Sequence, residues 1–259
     1  MKRCCFIIFS LFNFCIAGMF MTASAQVGEY RTDFAVGVNG GYVMDQVSFT
    51  PEVPQGMMGG LTAGLTLRYT CEKYFKSICA IVAEVNYSQM GWKESIEDID
   101  NQPIYYTDDP EKLNPLFYER RINYIQIPVM ARLGWGRERK GFQGFFQIGP
   151  QIGLYQSEST NTNVVEGHGT QTPRASVVVA QEKMPVEKNF DYGIAGGAGI
   201  EFSHPKIGHF LLEGRYYFGL GNIYGNTKQD YFGKSNHGAI IIKMSYLFDI
   251  VKTKNDNIK

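Results

Sequence analysis

Beyond residue 21 the sequence has no run of roughly 18 consecutive apolar residues, so no later segment can cross a membrane as a helix. Charge of one sign is also missing: 25 Lys plus Arg balance 25 Asp plus Glu, and the densest basic stretch is Arg137-Glu138-Arg139-Lys140. A chain without a basic patch has no electrostatic footprint for nucleic acid. Histidine is scarce, with four residues, and His168, His204, His209 and His237 stand at no metal-ligand spacing, which argues against zinc. Asp98, Asp100 and Asn101 open like a calcium loop but lack its Gly and closing Glu. Gly196-Gly197-Ala198-Gly199 has no Lys-Ser or Lys-Thr after it and no following helix, so it is not a phosphate loop. No metal and no cofactor is expected.

What the chain of 259 residues does have is glycine (29), Phe (18) and Tyr (16), without a collagen period. Many short turns and glycine-bearing strands fit that composition. At the N-terminus, Met1-Lys2-Arg3 is a positive start, Phe6 to Met21 is apolar, and Ala23-Ser24-Ala25 has the small-x-small pattern of a cleavage site. Residues 1–25 are therefore expected to be a cleaved signal peptide, leaving 23 basic against 25 acidic residues. Cys4, Cys5 and Cys15 would leave with it. Only Cys71 and Cys79 remain, an even count in an oxidising compartment. Both continue one apolar series across a short turn, so a disulfide between them is geometrically open.

From residue 33 onward, eight segments alternate with a period of two. Phe34, Val36, Val38, Tyr42 and Met44 oppose Ala35, Gly37, Asn39 and Gly41. Leu61, Ala63, Leu65, Leu67 and Tyr69 oppose Gly60, Thr62, Gly64, Thr66 and Arg68. Further alternating segments cover 78–92, 121–135, 142–155, 190–203, 209–221 and 237–250. Read as strands of about 12 residues, they exceed ordinary soluble strands and suit a tilted bilayer crossing. The connections alternate too: 71–77, 136–141 and 204–208 are short, while 45–58, 93–120, 156–189 and 222–236 are long. That asymmetry predicts an all-β, eight-stranded antiparallel up-and-down transmembrane β-barrel over residues 26–250, with long extracellular loops and short periplasmic turns. Residues 251–259 follow as a short polar tail.

The expected interior holds Arg68, Arg132, Arg215 and Lys243 with Glu84, Glu201 and Glu213. Eight strands enclose a lumen just wide enough for side chains, so these charges are expected to pair as a structural plug. Loop 93–119 carries eight acidic residues against Lys93 and Lys112, the composition of a solvated surface loop. Asp191, Ser235 and His237 fall near the outer rim, the residue types a lipid-modifying barrel enzyme would use, but on separate segments.

The order of Glu84-Val85-Asn86-Tyr87-Ser88-Gln89-Met90-Gly91, Tyr124-Ile125-Gln126-Ile127-Pro128-Val129, Gly149-Pro150, Asp191-Tyr192-Gly193 with Gly197-Ala198-Gly199, Arg215-Tyr216-Tyr217-Phe218-Gly219-Leu220 and Tyr246-Leu247-Phe248 resembles the PorT-like outer-membrane barrel domain of Gram-negative bacteria. The resemblance spans almost all of the chain after residue 25. It implies an outer-membrane barrel without catalytic residues, and its founding member is linked to type IX secretion and gliding. The expected function is thus a non-enzymatic, monomeric barrel in the cell outer membrane. Its contacts are membrane lipid and a protein or glycan at the outer loops. The alternatives are a component of secretion or envelope assembly, or an outer-leaflet lipid enzyme.

Overall fold

The computed structural model describes residues 29–253. The signal peptide expected over residues 1–25 and most of the 251–259 tail lie outside the described residues. Eight strands form: β1 (Glu29–Thr50), β2 (Gln55–Tyr74), β3 (Ser77–Ser95), β4 (Phe117–Gly136), β5 (Gly141–Thr162), β6 (Phe190–His204), β7 (Gly208–Gly219) and β8 (Lys234–Val251). Each pairs antiparallel with the next, and β8 returns to β1, with Val38 opposite Tyr246, to close the barrel. The one helix among the described residues is a single turn, α1 (Ala180–Lys183), in the connection from β5 to β6.

The period-two pattern sets the two faces. In β2, Leu61, Leu65 and Leu67 are exposed on the outer wall while Thr62, Thr66 and Arg68 are buried in the lumen. The same holds for Ile81 and Val85 in β3, Ile148 in β5, Ile200 in β6, Leu212 in β7 and Ile242 in β8. In water such a continuous apolar belt would be an aggregation surface; in hydrocarbon it is the favourable outer face. Tyr69, Tyr87, Tyr192 and Tyr216 are exposed with it, whereas Tyr155 and Tyr246 are half-buried.

Most strands run much longer than the expected 12 residues, reaching 22 in β1 and β5. The first outer connection is therefore only residues 51–54, not 45–58. Above the belt the pattern inverts: Val43, Val47 and Phe49 of β1 point inward and are buried, while Gln46, Ser48 and Thr50 face out. An apolar-outside criterion ends the strand where lipid ends, although the backbone ladder continues into water. The other outer connections, 96–116, 163–189 and 220–233, are long, and the opposite turns, 75–76, 137–140 and 205–207, are short.

Cys71 and Cys79 are not directly opposed. A register shift between Thr70 and Glu72 places Cys79 against Glu72. Both cysteines are free, and the Cys71 thiol donates to the Cys79 carbonyl at 3.4 Å. One inserted residue at this bulge moved the pairing by one position, which removes the direct opposition that the alternation had matched.

A closed ring has no strand edge within the belt from which unfolding can start. Unboiled protein in SDS is expected to migrate differently from boiled protein; identical mobility would show that the ring opens in detergent.

Candidate functional site

The lumen is filled in three tiers. At the periplasmic end Glu201 sits between two guanidinium groups, Arg68 at 2.8 Å and Arg132. His209 approaches Glu201 through Nδ1 at 2.7 Å and Asp249 through Nε2 at 3.0 Å. Arg132 also lies over the Phe145 ring, 3.7 Å from its centre. Gly199 makes room for that ring, since a Cβ there would come within 2.6 Å of it. One step higher, Arg215 grips Glu84 with two bonds of 3.0 Å and Glu213 with bonds of 2.8 and 3.1 Å. Lys243 also binds Glu84, and it lies 3.6 Å from Glu213. Gln147 donates to Glu213 at 2.6 Å and Asn86 to Glu84 at 2.8 Å.

All seven charged residues singled out in the sequence thus point into the lumen, in two groups rather than one: Arg68, Arg132 and Glu201 below, and Glu84, Glu213, Arg215 and Lys243 above. His209 and Asp249 complete the lower group. The alternation that placed Glu213 and Lys243 inside extends to them too, four residues earlier on β7 and six later on β8. The periplasmic mouth is crossed by the turn 137–140, where Glu138 meets Arg31 at 3.3 Å and Lys73 at 3.9 Å. Behind it remains a cavity of about 30 Å³, room for a water or two.

The second tier holds two carboxylates, Asp45 and Asp191, and one histidine. His237, fully buried, bonds Asp45 at 2.7 Å through Nδ1 and lies 3.3 Å from the Tyr124 hydroxyl. Asp45 also accepts the Gly91 N–H at 2.7 Å, and Asp191 accepts the Tyr217 hydroxyl at 2.6 Å. Ser235 accepts the Tyr224 N–H at 3.1 Å. Asp191, Ser235 and His237 are therefore each held by a different partner, and all three are buried. They form no nucleophile, base and orienting-acid chain. No group of three metal-ligating side chains occurs among the described residues.

The third tier, above the belt, is an aromatic core. Phe49 packs on Trp92 with ring centres 5.2 Å apart and on Phe232 at 4.9 Å, and Tyr224 stacks on Phe232 at 5.7 Å. The connection 163–189 folds into this end. Gln181 of α1, fully buried, donates to Glu94 at 2.9 Å, and Arg174 ties Glu94 to Glu182. Arg120 reaches up from β4 to the Gln181 carbonyl at 2.9 Å, to Glu158 at 2.9 Å and to the Tyr224 hydroxyl at 3.1 Å. Burial raises the Tyr224 phenol well above its ordinary value, so it serves as a neutral hydroxyl here. Acids of loop 93–119 work locally: Asp98 accepts the N–H groups of Asp100 and Gln102, and Asp109 those of Leu113 and Asn114. The aromatic tier was not visible as a site in the sequence; its signal was the inverted alternation of Val47 and Phe49 and of Met90 and Trp92.

A family model described as outer membrane protein beta-barrel domain matches residues 24–225. Among solved structures, outer membrane protein OprG from Pseudomonas aeruginosa is similar at 13% identity and a TM-score of 0.41, over 85% of this chain and 98% of that one. Ail, the attachment invasion locus protein of Yersinia pestis, solved with the heparin analogue sucrose octasulfate, is similar at 12% identity and a TM-score of 0.34, over 83% and 99%. Neisserial surface protein A gives 9% identity and a TM-score of 0.38, over 83% and 97%. No curated protein sequence matches this chain.

Proposed function

Because this chain belongs to the family of outer membrane protein β-barrel domains, we propose that it is a non-enzymatic, monomeric surface protein. Its barrel is an anchor, and its outer ends contact a protein or glycan beyond the membrane. The observation that carries this reading is the filling of the lumen. Two charged groups, a buried His–Asp tier and an aromatic core lie one above another between the two ends, so the barrel offers a solute no passage. The parts free to act are the strand extensions and connections above the belt.

Purified protein in planar bilayers is expected to give no steady conductance of porin size. Stable large channels would overturn the plug. A photo-crosslinking residue placed in intact cells at Ile99 or Val177, both exposed in outer connections, is expected to yield adducts with external partners. The same residue at Ile207, exposed in a periplasmic turn, is expected to yield none.

A second reading, a component of secretion or envelope assembly, is supported by the likeness to PorT-like barrels. It is also supported by the turn 137–140, which presents Arg137 and Lys140 at the periplasmic mouth. Adducts from Ile207 alone would favour it over the first.

A further inference from the structure

The barrel wall is uneven above the membrane. β5 runs on to Thr162 paired with β4, with Tyr118 opposite Thr162 and Asn123 opposite Ser157. On its other side the pairing with β6 ends at Leu154 opposite Phe190, and the Tyr155 N–H bonds the Asn189 carbonyl. From there the chain turns away, Glu187 and Lys188 donating to the Ile223 carbonyl. Residues Gln156 to Thr162 therefore have a strand on one side only, and among the described residues no backbone group pairs with the other.

Which main-chain groups face this free edge follows from the strand's alternation. The N–H of Phe117 bonds the Asn163 side chain and its carbonyl accepts the Thr162 hydroxyl, so Phe117 directs both main-chain groups toward β5. In an antiparallel ladder these directions alternate, so Glu119, Arg121 and their partners Asn161 and Ser159 exchange bonds. Glu158, Thr160 and Thr162 then point their N–H and C=O groups outward from the sheet. Edges left open in folded proteins are commonly blunted by Lys, Pro or covering loops. Gln156-Ser157-Glu158-Ser159-Thr160-Asn161-Thr162 has neither Lys nor Pro.

Beside this edge lies a cavity of about 390 Å³ lined by Thr160, Thr162, Tyr118, Val164 and Val179 and by the paired charges Lys183–Glu166 and Arg174–Glu182. Cross-strand neighbours share a face, so side chains opposite Thr160 and Thr162 on an added strand would enter it. A ladder of main-chain bonds with a pocket for alternate side chains is the general basis of recognition by strand addition. We propose that the β5 edge from Gln156 to Thr162 is a docking site for an extended segment of another polypeptide, which adds as a strand and places an aromatic or branched aliphatic side chain in this cavity. The proposal rests on the surface-interaction reading and names the place and kind of its partner. A second copy of this chain does not fit: the free edge stands on the same cylinder as β6, directly above it, and a neighbouring barrel in the membrane cannot enter that cylinder.

The test uses the full chain refolded in detergent. The probes are short blocked peptides alternating Thr and Val around a central Tyr, Phe, Leu or Ala, and the Tyr peptide N-methylated at every second residue on the donor side. The Tyr peptide is expected to bind the wild type, and N-methylation to weaken it by about tenfold, as loss of a few ladder bonds requires. Thr160→Pro removes an N–H directed at the free edge, a position where a strand tolerates proline. It is expected to cause a similar loss while keeping the heat-dependent mobility in SDS. Val179→Trp fills the cavity and is expected to abolish the preference for Tyr over Ala without touching the ladder, so it carries the test if Thr160→Pro misfolds. Equal binding of methylated and unmethylated peptides, or no binding by any peptide, overturns the proposal. So does a dimer that Thr160→Pro dissolves, since the occupant would then be the chain itself. If peptides fail while Ile99 and Val177 still yield adducts, the docking site falls and the surface reading stands; if those adducts are also absent, both fall.

Discussion

Glu201→Ala is expected to lower the unfolding free energy by about 3 to 5 kcal/mol, because it leaves buried positive charge without its counter-charge. Glu201 is the shared anion of Arg68 and Arg132 and also receives His209. With the carboxylate gone, Arg132 keeps the face of Phe145 but no ion pair among the described residues, and Arg68 keeps Asp249 at 4.0 Å. Glu213→Ala should cost less, since Glu84 still holds Arg215 through two bonds and still binds Lys243. Glu166→Ala, at an exposed pair with Lys183, should give no measurable change. Urea unfolding followed by tryptophan emission tests the order, since Trp92 lies in the aromatic core and Trp135 on the outer wall. If Glu201→Ala and Glu166→Ala behave alike, the lower group is hydrated rather than interdependent.

The part of this architecture that was legible in the sequence is the part that lipid dictates. Leu61-Thr62-Ala63-Gly64-Leu65-Thr66-Leu67-Arg68 announces its two faces because hydrocarbon on one side and a narrow polar lumen on the other leave no freedom in the choice. Strand count, order and the inward charges follow from that alternation. Where the wall leaves the membrane, both solvents change: outside is water and inside is a protein core. Asp45-Gln46-Val47-Ser48-Phe49-Thr50 still alternates, but with the apolar residues turned inward, and a search for apolar-outside strands reads it as loop. The direct opposition expected of Cys71 and Cys79 is displaced by a bulge of one residue, a backbone event that side-chain periodicity does not encode. Asp191, Ser235 and His237 were close on the rim in sequence terms. Each is engaged instead by its own partner, Tyr217, Tyr224 and Asp45, which only the register brings alongside.

The same division of the wall into a lipid belt and a watered extension predicts the outcome of placing one arginine in each. Leu65 lies on β2 opposite Val38 of β1 and Val85 of β3, and all three are exposed on the outer wall, Leu65 at 61%. In hydrocarbon, Leu65→Arg must carry its charge to the interface or thin the bilayer around it, at a cost of about 2 to 4 kcal/mol near mid-depth. Ser159 also faces outward, on β5, but above Tyr155 and beyond the last pairing with β6, where the neighbouring medium is water. Ser159→Arg should therefore leave insertion and unfolding unchanged. The adjacent lumenal position is no neutral comparison: Thr66 accepts the Asn39 amide at 2.8 Å, and an arginine there would have to displace a packed polar layer. Refolding into lipid vesicles, read by heat-dependent mobility and urea midpoint, measures the difference. A loss for Leu65→Arg that Ser159→Arg matches would mean that the belt is not what the bilayer covers. A loss confined to Leu65→Arg places the lipid boundary between the two residues, and with it the base of the exposed wall on which β5 stands free.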